Sequence, residues 1–282
     1  MQLIEVTKNP DIAEGDDRLK ILRMAAGLHD LAAKLLSIKN LPEFPNCLDH
    51  LRLISKNAQD ASIGQLQAGN IFDDTGRKMA ELYLGCLAAH CGENVEFDHP
   101  SSAKGDNPDV MFSYRYRRWA LAIKTISTRQ GQTIFERIKD GANQIDRDTC
   151  TADVGMVVVN AKDAIDHKAL WETVYGDLNE AVAAVGAELD DLVEAACHER
   201  PQDEWDELFA DGVARPILLL GQSVVRIRAS SGQEVPTPLK MLRMFSAGGA
   251  NDDTAHEISG ALNHFMQTIL NGQPGGQGCL PS

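Results

Sequence analysis

The sequence predicts an α/β fold, a mixed β-sheet flanked by helices, on three observations. Apolar residues recur at helical spacing in "RLKILRMAAGLHDLAAKLLSIKN" and again in "GRKMAELYLGCLAAHCG". Three strand-like segments, "NVEFDH", "PDVMFSYRY" and "RWALAIKTI", follow in quick succession. A helical segment "QTIFERIKDGANQI" then leads into the apolar strand "VGMVVVN", and a helical crossover of that kind sets a strand parallel to a neighbour.

Each element can be justified in order. From about Asp16 to Gln67 the chain reads as a helical preface with Leu19, Leu22, Ala26, His29 and Ala33 near one face; "LPEFP" breaks it and "CLDHLRLISKNA" resumes it. A third helix starts near Asp74 or Thr75, both N-cap residue types, with Met79, Leu82, Tyr83, Cys86 and Leu87 inward and Glu81 to one side. The turn material "PSSAKGDN" separates the first two strands. The next helix turns Ile134, Phe135, Ile138, Ala142 and Ile145 inward. Beyond Asn160 come acidic helices to about Ala210, broken at "GDLN" and "ERPQDE" and packing through Leu170, Val174, Leu178, Val182 and Leu189. A strand in "RPILLLGQSVVRI" and helices at "LKMLRMF" and "AHEISGALNHFMQTIL" follow, and "NGQPGGQGCLPS" reads as a disordered tail. The resulting division is a helical region over 1–70, a core over 71–160, helices and a strand packed on it over 161–270, and the tail over 271–282.

Composition bounds the partners. With 282 residues, 43% of them hydrophobic, the chain can bury a sizeable core. It contains no apolar run near the roughly 18 residues that span a bilayer. Its opening "MQLIEVTKNPDIAEGDD" lacks the basic and apolar regions of a signal peptide, so a cytoplasmic protein without a membrane partner is expected. The cysteines Cys47, Cys86, Cys91, Cys150, Cys197 and Cys279 form no CxxC pair and are expected reduced. The formal charge of −14 is concentrated between Asp163 and Asp211, where fifteen Asp or Glu face two bases. Between Met111 and Cys150 eight bases face four acids, a locally positive stretch able to attract phosphate.

In the strand "RWALAIKTI", Ala122 and Lys124 face one side while Leu121, Ile123 and Thr125 face the other. Asp109 begins the preceding strand, and a hairpin between the two would bring its carboxylate near Lys124. Phosphodiester hydrolysis calls for a divalent cation and a group that orients the attacking water. Asp109 suits the first task and Lys124 the second.

These residues resemble the PD-(D/E)XK, or restriction-endonuclease-like, superfamily of nucleases. The match is Pro108-Asp109, a spacer of twelve residues, then Ala122-Ile123-Lys124 where the family has (D/E)-X-K. The element order of helix, three strands, helix and strand agrees over roughly residues 70 to 160. The resemblance implies a restriction-endonuclease-like core with helical N- and C-terminal additions. It also implies a Mg2+- or Mn2+-dependent endonuclease acting on double-stranded DNA, in host defence or DNA processing, with Asp109 as metal ligand, Lys124 orienting water and Glu81 as the acid supplied by the first helix.

The departure is Ala122, whose methyl supplies no oxygen to a cation. Three explanations stand: a deliberate acid-to-alanine exchange at this position, an acid that has migrated to Glu136 on the following helix or to Glu81, or a nuclease fold that binds nucleic acid or protein without cutting. Plainer readings accompany each residue. Asp109 could cap a turn, Glu81 and Glu136 could be solvated, and Lys124 could snorkel from a sheet edge. Arg115, Arg117 and Arg118 form either a hydrated hairpin turn or phosphate contacts, and Arg129 belongs with them. Gln132 and Gln144 are either substrate contacts or exposed helix surface. The acidic stretch 163–211 is either a solvated face or a surface that repels DNA and docks a basic protein partner or a second copy of the chain. No GxxxxGK[ST], GxSxG or HxxxH pattern supports another chemistry.

Overall fold

A computed structural model of the chain describes residues 16–56, 74–98, 107–209 and 212–269. Helices α1 (Asp16–Ile38) and α2 (Leu48–Lys56), joined through a 3-10 turn at Phe44–Cys47, precede α3 (Asp74–Cys91). Strands β1 (Glu93–Phe97), β2 (Val110–Tyr114) and β3 (Arg117–Thr125) come next, then α4 (Gly131–Ile145) and β4 (Val154–Asn160). The remaining elements are α5 (His167–Glu172), β5 (Val174–Tyr175), α6 (Leu178–Glu199), α7 (Gln202–Leu208), β6 (Ile217–Arg228), β7 (Glu234–Phe245) and α8 (Asp253–Thr268). The protein is therefore α/β, with seven strands among the described residues in one mixed sheet between helices. The preface beyond Lys56, the "PSSAKGDN" turn up to Asp106 and the glycine-rich tail lie outside the described residues.

Strands β1, β2 and β3 are antiparallel neighbours. Strand β4 then runs parallel to β3 from Trp119↔Val154 to Thr125↔Asn160, as the α4 crossover dictates. Strand β6 is parallel to β4 and β5 along one side and pairs with β7 over its whole length along the other.

Strict alternation along β3 splits the interior in two. Leu121 and Ile123 join the core beneath α1, α3 and α8, whereas Ala120 and Ala122 join the core beneath α4 and α6. Each such Leu or Ile is worth about 1.5–3 kcal/mol when fully buried. Helix α3 is enclosed on nearly every side: from Lys78 to Ala89 every residue is buried, so Glu81 lies inside the protein and not on a solvated flank.

Two expectations are corrected here. The segment "LKMLRMF" is strand, not helix, because its backbone groups pair with β6 through a hairpin closed by Ala229 and Gln233, and this register overrides helical propensity. Pro236 and Pro238 in the same stretch suit an edge strand. On its outer side, Leu242 N–H donates to Asn263 Oδ1 at 3.3 Å and Gln267 Nε2 donates to Lys240 O at 2.7 Å, so α8 covers this edge. The second correction concerns α6. Leu178 and Val182 are exposed, and the buried stripe is Ala181, Val185, Leu189, Leu192, Val193 and Ala196. Gly221 helps fix that stripe, since a Cβ there would come within 2.8 Å of Leu189 Cδ1.

Candidate active site

The register Val110↔Leu121, carried one step further, sets Asp109 opposite Ala122, and cross-strand partners share a face. Asp109 N–H donates to Leu121 O at 3.1 Å, and its Oδ2 accepts from Ile123 N–H at 2.6 Å. The carboxylate is thus tied to the backbone between positions 122 and 124. Lys124 lies on the face covered by α4, where its amine donates to Gln144 Oε1. Helix α4 approaches this closely because residue 141 is glycine: a Cβ there would stand 2.9 Å from Val157 Cγ1 and 3.5 Å from Lys124 Cγ.

Electrostatics bind these groups into one cluster. Burial pushes the Asp109 carboxyl up from 3.8 to about 7, and the charge of Glu81 pushes the same way. Lys124, the Ile123 N–H and Lys78 oppose the rise. Burial draws the Lys124 amine below its ordinary value, and Asp109, Asp140 and Glu81 partly restore it. Glu81, from α3, is fully buried, with Oε2 2.8 Å from Lys78 Nζ and 3.2 Å from His50 Nε2. With Nε2–H of His50 directed at that oxygen, Glu81 Oε1 and His50 Nδ1 are buried without a hydrogen bond, although Arg77 Nε stands 3.9 Å from Oε1.

Of the residues singled out by sequence, the structure brings Asp109, Ala122, Lys124, Glu81 and Gln144 together. Gln144 is not exposed helix surface: it is buried, holds Lys124 through its carbonyl and donates through its amide to Asn107 O, just before Pro108-Asp109. Glu136 is held by Arg200 at 3.1 Å, and the helix α4 carboxylate that acts on Lys124 is Asp140, one turn closer to Gln144. The signal for Asp140 was its i, i+4 spacing from Gln144 on an amphipathic helix.

The arginines lie elsewhere. Arg115 and Tyr116 form the tip of the β2–β3 hairpin, and Arg117 opens β3, seven residues and roughly 23 Å of strand from Lys124. A hairpin turn necessarily lies at the opposite end from the point where its first strand enters. Arg115 is paired with Glu257 at 2.7 Å and Arg118 with Glu96 at 2.6 Å. Arg129 is taken by Glu188 at 2.6 Å and Asp191 at 3.5 Å, while Gln132 is exposed and its N–H donates to Glu199. The acidic α6 face is accordingly joined to the basic stretch, and Arg243 takes up Asp190 as well.

The fit to a divalent cation can be judged from the donors. Mg2+ takes about six oxygens at close to 2.0–2.1 Å. Position 122 offers a methyl, Asp109 Oδ2 is engaged by a backbone N–H, and Glu81 Oε2 is engaged by Lys78 and His50. Among the described residues no three His, Cys, Asp or Glu side chains could hold a metal ion together. The described donors do not complete a site for Mg2+ or Mn2+. No helix among the described residues is long and apolar enough to cross a membrane. Comparison with protein-family models, with curated proteins and with solved structures returned no match.

Proposed function

We propose that the chain is a nuclease module of the PD-(D/E)XK type, built to engage the phosphodiester backbone of DNA and held short of cutting by the alanine at 122. The observation that carries this reading is the convergence of Asp109 and Lys124 on the face of Ala122, with Glu81 close enough to raise the Asp109 carboxyl. The order α3, β1, β2, β3, α4, β4, with three antiparallel strands and a parallel fourth, supports a restriction-endonuclease-like core.

The roles follow from placement. Lys124, whose charged form burial disfavours, is the group able to orient a water or donate to a phosphate oxygen. Gln144 keeps the amine directed across the helix–sheet seam. Glu81 is countered by Lys78 and Asp109 by Lys124 and Lys78, and a carboxylate at 122 is the oxygen donor that the family pattern calls for and this chain lacks. Asp140 of α4 raises the Lys124 amine while pairing with Arg137 at 3.3 Å, so it acts on the charge of the lysine and does not replace the acid at 122.

Plasmid DNA with Mg2+ or with EDTA, treated with the present chain, Ala122→Glu and Ala122→Glu/Lys124→Ala, tests the proposal. Cleavage is expected from Ala122→Glu in Mg2+ alone, with little or none from the present chain and none without Lys124. A second reading, a silent module that binds nucleic acid or a protein, is favoured by the incomplete donor set. Inactivity of Ala122→Glu together with absent Mg2+ affinity would establish that reading instead.

A further inference from the structure

Helix α1 does not pack flat against the sheet. Its stripe of Leu22, Ala25 and Ala26 faces Val224 of β6 and Pro236 and Pro238 of β7 across a cavity of about 480 Å3. That volume falls within the roughly 300–1,000 Å3 usual for small-molecule sites, and small side chains on one wall with prolines on the other leave an apolar slot.

One end of the slot is polar, formed by His29, Asp30, Gln222 and Lys240. Asp30 accepts from Lys34 at 2.9 Å, from the Tyr83 hydroxyl at 2.7 Å and from Lys240. Lys34 is fully buried, and its three N–H groups are all used, on Asp30, on Met266 O at 2.8 Å and on Ile269 O at 2.5 Å. Lys240 differs. Its amine donates once, to Asp30, and among the described residues its two other N–H groups have no partner. Two ammonium groups therefore share one carboxylate beside an apolar cavity, an excess of one positive charge. Burial, with Lys34 alongside, draws the Lys240 amine down to about 8 against the opposing pull of Asp30.

We propose that this cavity binds a small amphiphilic anion, its apolar body between α1 and the prolines of β7 and its carboxylate, sulfonate or phosphate group on the Lys240 amine. An anionic group there supplies the acceptor that Lys240 lacks and balances the second ammonium. The proposal does not depend on the nuclease reading, since none of its residues belongs to the Asp109–Lys124 cluster.

Two probes of similar shape separate charge from apolar contact: 8-anilinonaphthalene-1-sulfonate, an anion, and N-phenyl-1-naphthylamine, which is neutral. Fluorescence titrations on the full chain are expected to give one saturable site for the anion. Lys240→Met should weaken the anion by about tenfold or more and leave the neutral probe within about twofold, while Lys240→Arg retains anion binding. Ala26→Trp fills the slot and should abolish both, with thermal melts checking that each variant folds; if it does not fold, Ala25→Leu narrows the same wall. Anion affinity unchanged in a folded slot-filling variant overturns the proposal. So does equal weakening of both probes by Lys240→Met, or loss of the anion in folded Lys240→Arg.

Discussion

Replacing Asp109 by asparagine should make the protein more stable at neutral pH. The residue is 8% exposed, the charge of Glu81 acts on it, and its carboxyl is raised from 3.8 to about 7. A carboxyl whose folded value lies above its unfolded one contributes stability that is fully present below 3.8 and is lost as pH rises through about 7. At about 1.36 kcal/mol for each tenfold change in proton affinity, the gap corresponds to roughly 4 kcal/mol. Asparagine keeps an oxygen for the Ile123 N–H and carries no charge for Glu81 to repel. Urea denaturation followed by circular dichroism, run from pH 4 to pH 8 on both proteins, reads this carboxyl together with the Lys124 amine that its charge raises. The two should agree within about 1 kcal/mol at pH 4, and Asp109→Asn should be ahead by up to about 4 kcal/mol at pH 8. Parallel curves across that range would refute the reasoning, since Asp109 would then ionise alike in the folded and unfolded chain. Stability gained by deleting an ionisable group is what a residue retained for function predicts.

Three further outcomes follow from the same contacts. Asp140→Asn should lower the Lys124 pKa further, read by NMR titration of its ε-methylene carbon, and an unchanged titration removes Asp140 from the cluster. Gly141→Ala gains helix propensity of about 1 kcal/mol but crowds Val157, for a net loss of about 1 kcal/mol that Val157→Ala should cancel; additive effects in the double variant would mean that the seam is looser than described. Lys34→Met leaves Asp30 with Tyr83 and Lys240 but strands the carbonyls of Met266 and Ile269, and should cost about 2–4 kcal/mol in urea melts, so a loss below about 1 kcal/mol would argue against that network.

Much of the architecture was legible where a single periodicity governs a segment. The two faces of β3 follow from alternation alone, because Leu121 and Ile123 are large and Ala120 and Ala122 small. The buried face of α4 likewise follows from the spacing of Ile134, Phe135, Ile138, Ala142 and Ile145. Where the partner lies far along the chain, the sequence is silent. Helical propensity in "LKMLRMF" lost to a twelve-pair register with β6, and the i, i+4 spacing of Asp140 from Gln144 gains meaning only when the helix is set against Lys124. Gln144 reads as a polar surface residue until Gly141 brings the helix down onto the sheet. The ion pairs of Arg118, Arg129 and Arg115 were not legible because their carboxylate partners, Glu96, Glu188 and Glu257, are distant in sequence.

The treatment of the sheet's margins constrains how the molecule can associate. At one margin Asn263 and Gln267 occupy backbone groups of β7; at the other, β1 is irregular in register and Asn46 Nδ2 takes the carbonyl of Val95 at 2.7 Å. These contacts occupy backbone groups that a second copy would need in order to add a strand at these two positions. A nascent chain that has not yet delivered Asn263 has all its strands but no seal on the last, and such intermediates are the ones most exposed to aberrant pairing during synthesis.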